Sequence, residues 1–148
     1  MTMTTVSSLN RSLEKAQIWL KDLQKIGHLR DESQAYSVLR AVLHVLRDRV
    51  TPDEGADLGA QLPLVIRGLY YENWKPSRAP ASYDELDEFY GRIRGELRGG
   101  TDVDPAHAFR SVARLLDQKI TAGEMDQIRE MMPEAIREIW PERENETA

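Results

Sequence analysis

Hydrophobic residues recur along most of the chain at steps of three and four, the spacing that places side chains on one face of an α-helix. The two clearest runs are Leu9, Leu13, Ala16, Leu20 and Leu23, and then Leu39, Val42, Leu43, Leu46 and Val50. Val38 and Val45 widen the second run, so we expect its helix to be the central one. No segment alternates with a period of two for the length of a strand. The pattern therefore predicts an all-α protein.

Short polar motifs indicate where several helices begin. In TPDE, Thr51 can accept a backbone N–H, Pro52 suits the first turn, and Glu54 can complete a capping box. TAGE repeats this arrangement from Thr121. The same chemistry predicts three further starts, at Asp31 with Gln34, at Ser82 with Glu85, and at Asp104 before Pro105.

Two prolines interrupt the helical pattern near the end of each half of the chain. Pro63 and Pro133 lack an N–H and would clash with the preceding turn of an undistorted helix. We therefore expect each proline to divide a short third helix from a short fourth, which makes four helices in each half.

The two halves resemble each other without a gap when Ala35–Tyr70 is laid over Pro105–Trp140. The identical pairs are Arg40/Arg110, Val42/Val112, Leu46/Leu116, Thr51/Thr121, Glu54/Glu124, Pro63/Pro133, Ile66/Ile136 and Arg67/Arg137. We interpret the chain as a tandem duplication. The predicted fold is two four-helix repeats packed as one helical bundle with approximate two-fold symmetry.

The predicted organisation has five parts. Residues 1–8 and 142–148 are polar tails expected to be disordered. Residues 9–71 and 83–141 form the two repeats. Residues 72–82, rich in proline and serine, form a linker between them.

Composition narrows the classes of function. The absence of cysteine excludes disulfides and thiolate chemistry and suits a reducing cytoplasm. No apolar run is long enough to span a membrane, and the N-terminus lacks the features of a signal peptide. The net charge of −5 argues against nucleic acid as a partner.

No catalytic or metal-binding motif is found in the sequence. The three histidines form no HExxH motif, and no GxSxG motif is present. His44 shares a helix face with Arg40, Arg47 and Asp48, which we interpret as a solvated polar face; the alternative is a small anion-binding patch. We predict no cofactor, no metal site and no enzymatic activity.

An arginine follows the breaking proline by four residues in both halves. Arg67 and Arg137 need acceptors within otherwise apolar helices, and helix C-terminal carbonyls or the carboxylates of Glu54 and Glu124 could supply them. We favour structural clamps. The alternative is that these residues contact a ligand in a cleft between the repeats.

The aligned segments end differently, because YENWKPSR follows Tyr70 whereas PERENETA follows Trp140. Tyr71, Trp74, Lys75 and Arg78 therefore have no counterparts in the second half. The aromatic residues could fill the junction between the repeats. They could instead anchor a partner, and we predict a binding surface at these four residues.

The stretch AVLHVLRDRVTPDEGADLGAQLPLVIRGLYYENW, followed by ITAGE and MPEAIREIWP, resembles the bacterial family known as domain of unknown function 2267. The resemblance extends from about Leu13 to Pro141 and implies a helical fold without an established activity or cofactor. The leading hypothesis is a non-enzymatic interaction or regulatory module that binds a protein partner. A small-ligand-binding protein is the alternative, and a homodimer stays open.

Overall fold

The computed structural model describes residues 5–97 and 101–143, and the chain in these ranges is helical without any strand. The first four helices are α1 (Ser7–Gly27), α2 (Glu32–Arg49), α3 (Pro52–Gln61) and α4 (Leu64–Tyr71). A 3₁₀ turn at Pro76–Arg78 precedes α5 (Leu86–Glu96), α6 (Pro105–Lys119), α7 (Ala122–Glu130) and α8 (Glu134–Glu138). The all-α prediction is confirmed.

Four predicted caps are present at the starts of helices. Thr51 and Thr121 each accept the backbone N–H three residues ahead, at 3.3 and 3.2 Å. Asp31 accepts the N–H of Gln34 at 2.8 Å, and Asp104 accepts that of His107 at 3.3 Å. Each cap satisfies a backbone donor that the helix itself leaves unpaired.

The predicted capping box at Ser82 and Glu85 is wrong. Helix α5 begins at Leu86, and the preceding Glu85 is extended without a side-chain cap. The buried ring of Tyr83 lies between the guanidinium groups of Arg49 and Arg92, 5.4 and 4.6 Å from its centroid. This tertiary packing holds the segment before α5 extended and delays the start of the helix.

The breaks at the two prolines are confirmed. Pro63 and Pro133 occupy the residue immediately before α4 and α8, and the preceding helices end at Gln61 and Glu130. Each half therefore ends in a pair of short helices.

One hydrophobic core draws buried residues from all of these helices. Helices α2 and α6 contact each other at its centre, α1 packs on both, and α5 also packs on both. An edge-to-face series of rings from Phe89 to Phe109 to Trp140 fills the part under α5 and α8. Helix α3 contacts α7 at another side of the molecule.

The segment between α4 and α5 is tied to the end of α2. The N–H of Ala81 donates to the carbonyl of Asp48 at 2.7 Å, and Arg49 donates to the carbonyl of Tyr83 at 3.0 Å. Helix α1 begins at Ser7, inside the segment predicted as a tail. The remaining tail predictions for residues 1–4 and 144–148 fall outside the described residues.

None of the helices within residues 5–97 and 101–143 combines the length and apolar character that crossing a bilayer requires.

Candidate functional site

Arg67 and Arg137 both donate to carbonyls at the end of the preceding helix. Arg67 contacts the carbonyls of Gly59 and Leu62 at 3.0 and 2.9 Å, and Arg137 contacts that of Met132 at 2.5 Å. These carbonyls lie at the C-terminal ends of α3 and α7, where the helix dipole is negative and favours a cation. These contacts are the ones expected of a structural clamp. That they stabilise the fold stays a prediction.

Glu54 and Glu124 do not contact the arginines and instead approach each other across the contact between α3 and α7. One carboxylate oxygen from each lies within 4.8 Å of the other and of an oxygen of Asp57. Glu54 is 5% exposed and Glu124 is 8% exposed, while Asp57 faces solvent. We call these three residues the acidic cluster.

The capping box predicted for Thr121 and Glu124 is wrong in one part, because the side chain of Glu124 does not accept the N–H of Thr121. The N–H of Thr121 donates to the side chain of Gln61 at 3.2 Å, which removes the donor that a capping box would use. The carboxyl group of Glu124 is buried beside Glu54 instead. Burial, a hydrogen bond with Glu54 and the charges of Glu54 and Asp57 raise the pKa of Glu124 to about 8.

The aromatic residues at the end of α4 differ in burial. Tyr70 is fully buried, and its hydroxyl donates to the carbonyl of Gly55 at 2.6 Å. Tyr71 and Trp74 are half-buried with ring centroids 5.2 Å apart. Their rings lie against Gly59 and Gly55 of α3, respectively. They therefore pack on the first half of the chain and keep an exposed edge.

Lys75 and Arg78 lie beyond these rings and are exposed. They line a groove of about 350 Å³ between the linker and α5, and Arg92 lines its other side. The full set of lining residues is Asp48, Asn73, Lys75, Arg78, Ala79, Ala81 and Arg92. Neither Lys75 nor Arg78 forms an ion pair with any described residue.

Asp48, the one acid among the described residues that line the groove, accepts a hydrogen bond from Arg47 at 2.8 Å. The groove thus brings together two of the four residues predicted to bind a partner, Lys75 and Arg78, and adds Arg92, which the sequence analysis missed. No spacing in the sequence relates Arg92 to the linker, because their proximity depends on how α5 packs against α2.

A second cavity of about 260 Å³ adjoins this groove, because Asp48 and Arg92 line both. Val45 of α2 and Gly95 of α5 also line it, so it lies between helices from the two halves of the chain. The hydroxyl of Tyr83, another lining residue, is buried and has no hydrogen-bond partner in the described part of the chain. Burial raises the pKa of Tyr83 to about 12, so this hydroxyl keeps its proton.

The interpretation of Arg40, His44 and Arg47 as a solvated face is wrong. Their exposed fractions are 5%, 1% and 2%. The end of α4 covers them, because Nε2 of His44 contacts the carbonyl of Leu69 at 2.7 Å. Arg47 donates to the carbonyls of Tyr70 and Glu72, at 2.6 and 2.8 Å.

Arg40 forms ion pairs with Glu72 and Glu96, each at 3.3 Å. The predicted alternative, a small anion-binding patch on this face, therefore has its cations already paired with carboxylates and carbonyls of the protein. The residues aligned with Arg40 and His44, Arg110 and Arg114 of α6, are exposed.

A family model described as "Uncharacterized conserved protein (DUF2267)" matches residues 16–139, which include the groove and the acidic cluster. No curated protein matches the sequence at a significant level.

Proposed function

We propose that this chain, which belongs to the DUF2267 family of uncharacterised conserved proteins, is a non-enzymatic helical module that binds an acidic segment of a protein partner. The partner segment would lie in the groove between the linker and α5. The observation that carries the proposal is the presence of two exposed cations, Lys75 and Arg78, that form no ion pair with any described residue and line a groove together with Arg92.

Charge complementarity supports an acidic partner. The protein carries a net charge of −5, so a groove lined by Lys75, Arg78 and Arg92 departs locally from its overall character, while Arg92 also pairs with Glu88 at 3.0 Å. Such a patch attracts negative charge and orients an approaching partner. Asp48 opposes this attraction only weakly, because Arg47 neutralises it.

Aromatic edges beside the cations support a protein partner over a simple anion. Tyr71 and Trp74 are half-buried, and Trp74 directly precedes the groove residue Lys75 in the chain. Half-buried aromatic rings are frequent anchors at protein interfaces because they offer much apolar area at a small entropic cost.

We further propose that the chain is a duplicated unit packed about an approximate two-fold axis. Thr51 contacts Met131, and Thr121 contacts Gln61, so aligned residues make reciprocal contacts across the two halves. The packing of α1 on α6 likewise corresponds to that of α5 on α2. Under this alignment the linker groove is unique to one half, which suits a specific binding function.

We place the protein in the cytoplasm, since a chain without cysteine needs no oxidising compartment.

A small-ligand-binding function is the second candidate. It is favoured by the cavity between α2 and α5, where the unpartnered hydroxyl of Tyr83 could donate to a polar ligand. Native mass spectrometry of the purified protein would test it directly. A bound molecule that disappears in Tyr83→Phe would favour this function over partner binding.

Site-specific photo-crosslinking in the native cell tests the proposed interface. A photoreactive residue replaces Arg78 in the groove, and the same residue at exposed Lys15 on α1 is the matched control. We expect a defined protein adduct from position 78 that position 15 does not form. Identical adducts at both positions would contradict the proposal.

The adduct identifies a partner whose binding can then be measured. Lys75→Glu with Arg78→Glu should weaken the partner's affinity about tenfold or more, because each reversal replaces attraction with repulsion. The free energy of unfolding should change by less than about 0.5 kcal/mol, as is usual for substitutions of exposed residues. Trp74 is a poorer test residue, since its packing on Gly55 couples binding to stability.

A further inference from the structure

We infer that Glu54, Asp57 and Glu124 form a binding site for a hard divalent cation that joins α3 to α7. This inference is independent of the proposed partner groove, because none of the three residues lines that groove.

The geometry allows the three carboxylates to reach one ion. Their candidate ligand oxygens all lie within 4.8 Å of one another. Calcium–oxygen bonds are about 2.3–2.6 Å long, so ligands on opposite sides of one ion are separated by roughly twice that length. The spacing therefore needs little movement of the side chains.

Burial makes an unoccupied pair of carboxylates costly. Glu54 and Glu124 are both more than nine-tenths buried, and Oε1 of Glu54 and Oε2 of Glu124 have no hydrogen-bond partner among the described residues. A buried charge is unfavourable unless it is paired or neutralised. Within the described ranges, no lysine, arginine or histidine forms an ion pair with Glu54, Asp57 or Glu124.

Two species can supply the missing positive charge, a proton or a metal cation. A proton competes with a cation for carboxylate oxygens, because a carboxylate must be deprotonated to bind a metal. A set of three carboxylates without sulfur or nitrogen suits calcium, manganese or magnesium rather than zinc or copper. Asp57 faces solvent, so water can enter and complete the coordination shell.

A bound cation would stabilise the folded protein, because it binds the assembled cluster and not the unfolded chain. Thermal unfolding near pH 8, first in EDTA and then in millimolar CaCl₂, MnCl₂ or MgCl₂, tests this. We expect at least one cation to raise Tm in a saturable way. We also expect Tb³⁺ to bind with luminescence sensitised by Tyr70 and Trp74, which lie beside Gly55 of α3.

Substitutions then separate a metal site from a general effect of charge. Glu54→Gln and Glu124→Gln should each weaken cation affinity about tenfold or more, since each removes a charged ligand. Asp53→Asn, an exposed acid on the same helix, is the matched control and should bind as the wild type does.

In EDTA the two Gln variants should be at least as stable as the wild type, because each removes a repulsive buried charge. Loss of the cation response then cannot be attributed to unfolding. If no cation raises Tm, or if both Gln variants bind Tb³⁺ like the wild type, the pair holds only a proton and the inference is wrong.

Discussion

At the residue scale, Arg67 and Arg137 show how a polar side chain is accommodated in an otherwise apolar short helix. Each donates hydrogen bonds to backbone carbonyls at the end of the preceding helix. We expect Arg67→Met to lower the free energy of unfolding by about 1.5–3 kcal/mol, the value of charged hydrogen bonds. Arg137→Met should cost less, because Arg137 makes fewer such contacts. Urea unfolding measures both, with the exposed Arg114→Met as control. Wild-type stability in both clamp variants would disprove the clamp.

His44 provides a pH-dependent contribution at the same scale. Burial is the main reason that its pKa is lowered; the carbonyl of Leu69 opposes this shift, Arg47 and Arg40 add to it, and Glu96 opposes it. The unfolded chain therefore gains a proton near pH 6.5, whereas the folded protein gains it only at lower pH. The stabilisation that neutral His44 contributes is fully present above pH 6.5. It is lost as the pH falls through the pKa of His44 in the folded protein.

The measurement is urea unfolding from neutral to mildly acidic pH, with His44→Gln as the non-titrating variant. We expect the wild type to lose more stability on acidification than His44→Gln. Equal losses would show that His44 does not titrate differently in the two states.

At the scale of elements, Gly59 sets how closely the end of α4 packs on α3, and Gly68 provides a comparison. A Cβ at Gly59 would overlap the ring of Tyr71, whereas a Cβ at Gly68 in α4 would meet no atom within 4 Å. We expect Gly59→Ala to destabilise the protein by about 1–3 kcal/mol through overpacking. Gly68→Ala should stabilise it by about 0.5–1 kcal/mol, because alanine favours the helix. Thermal and urea unfolding of both variants provide the comparison, and stabilisation by Gly59→Ala would show that Tyr71 is not held against α3.

At the scale of the whole molecule, the core joins both halves. Helix α1 packs on α6 and α2 packs on α5 and α6, so a fragment ending near Lys75 would expose the apolar faces of α1 and α2. We expect this fragment to aggregate or to dimerise through the vacated face. Size-exclusion chromatography with light scattering and melting followed by circular dichroism measure the outcome. A monomer with full helicity and cooperative melting would show that the halves do not depend on each other.

The sequence by itself determined the helices and most of their ends. Caps such as Thr51 and breaks such as Pro63 act through hydrogen bonds and steric contacts within a few residues, so the local sequence contains the necessary information. The apolar face of α2 could be predicted for the same reason, because residues three and four positions apart lie on the same side of an α-helix. The binding surface stays a prediction, drawn from the different endings of the aligned halves. The structure brings Lys75 and Arg78 to a groove and leaves Tyr71 and Trp74 half-buried against α3.

Only the tertiary structure decided which polar residues are buried and what they meet. His44 and Arg47 lie opposite an apolar stripe, yet the carbonyls at the end of α4 cover them. Glu54 and Glu124 are 70 positions apart in the sequence and become neighbours because α3 contacts α7. Arg92 reaches the groove because α5 packs on α2. Burial of a polar group depends on acceptors, donors and charges delivered by distant segments, and the periodicity of one segment contains no information about them.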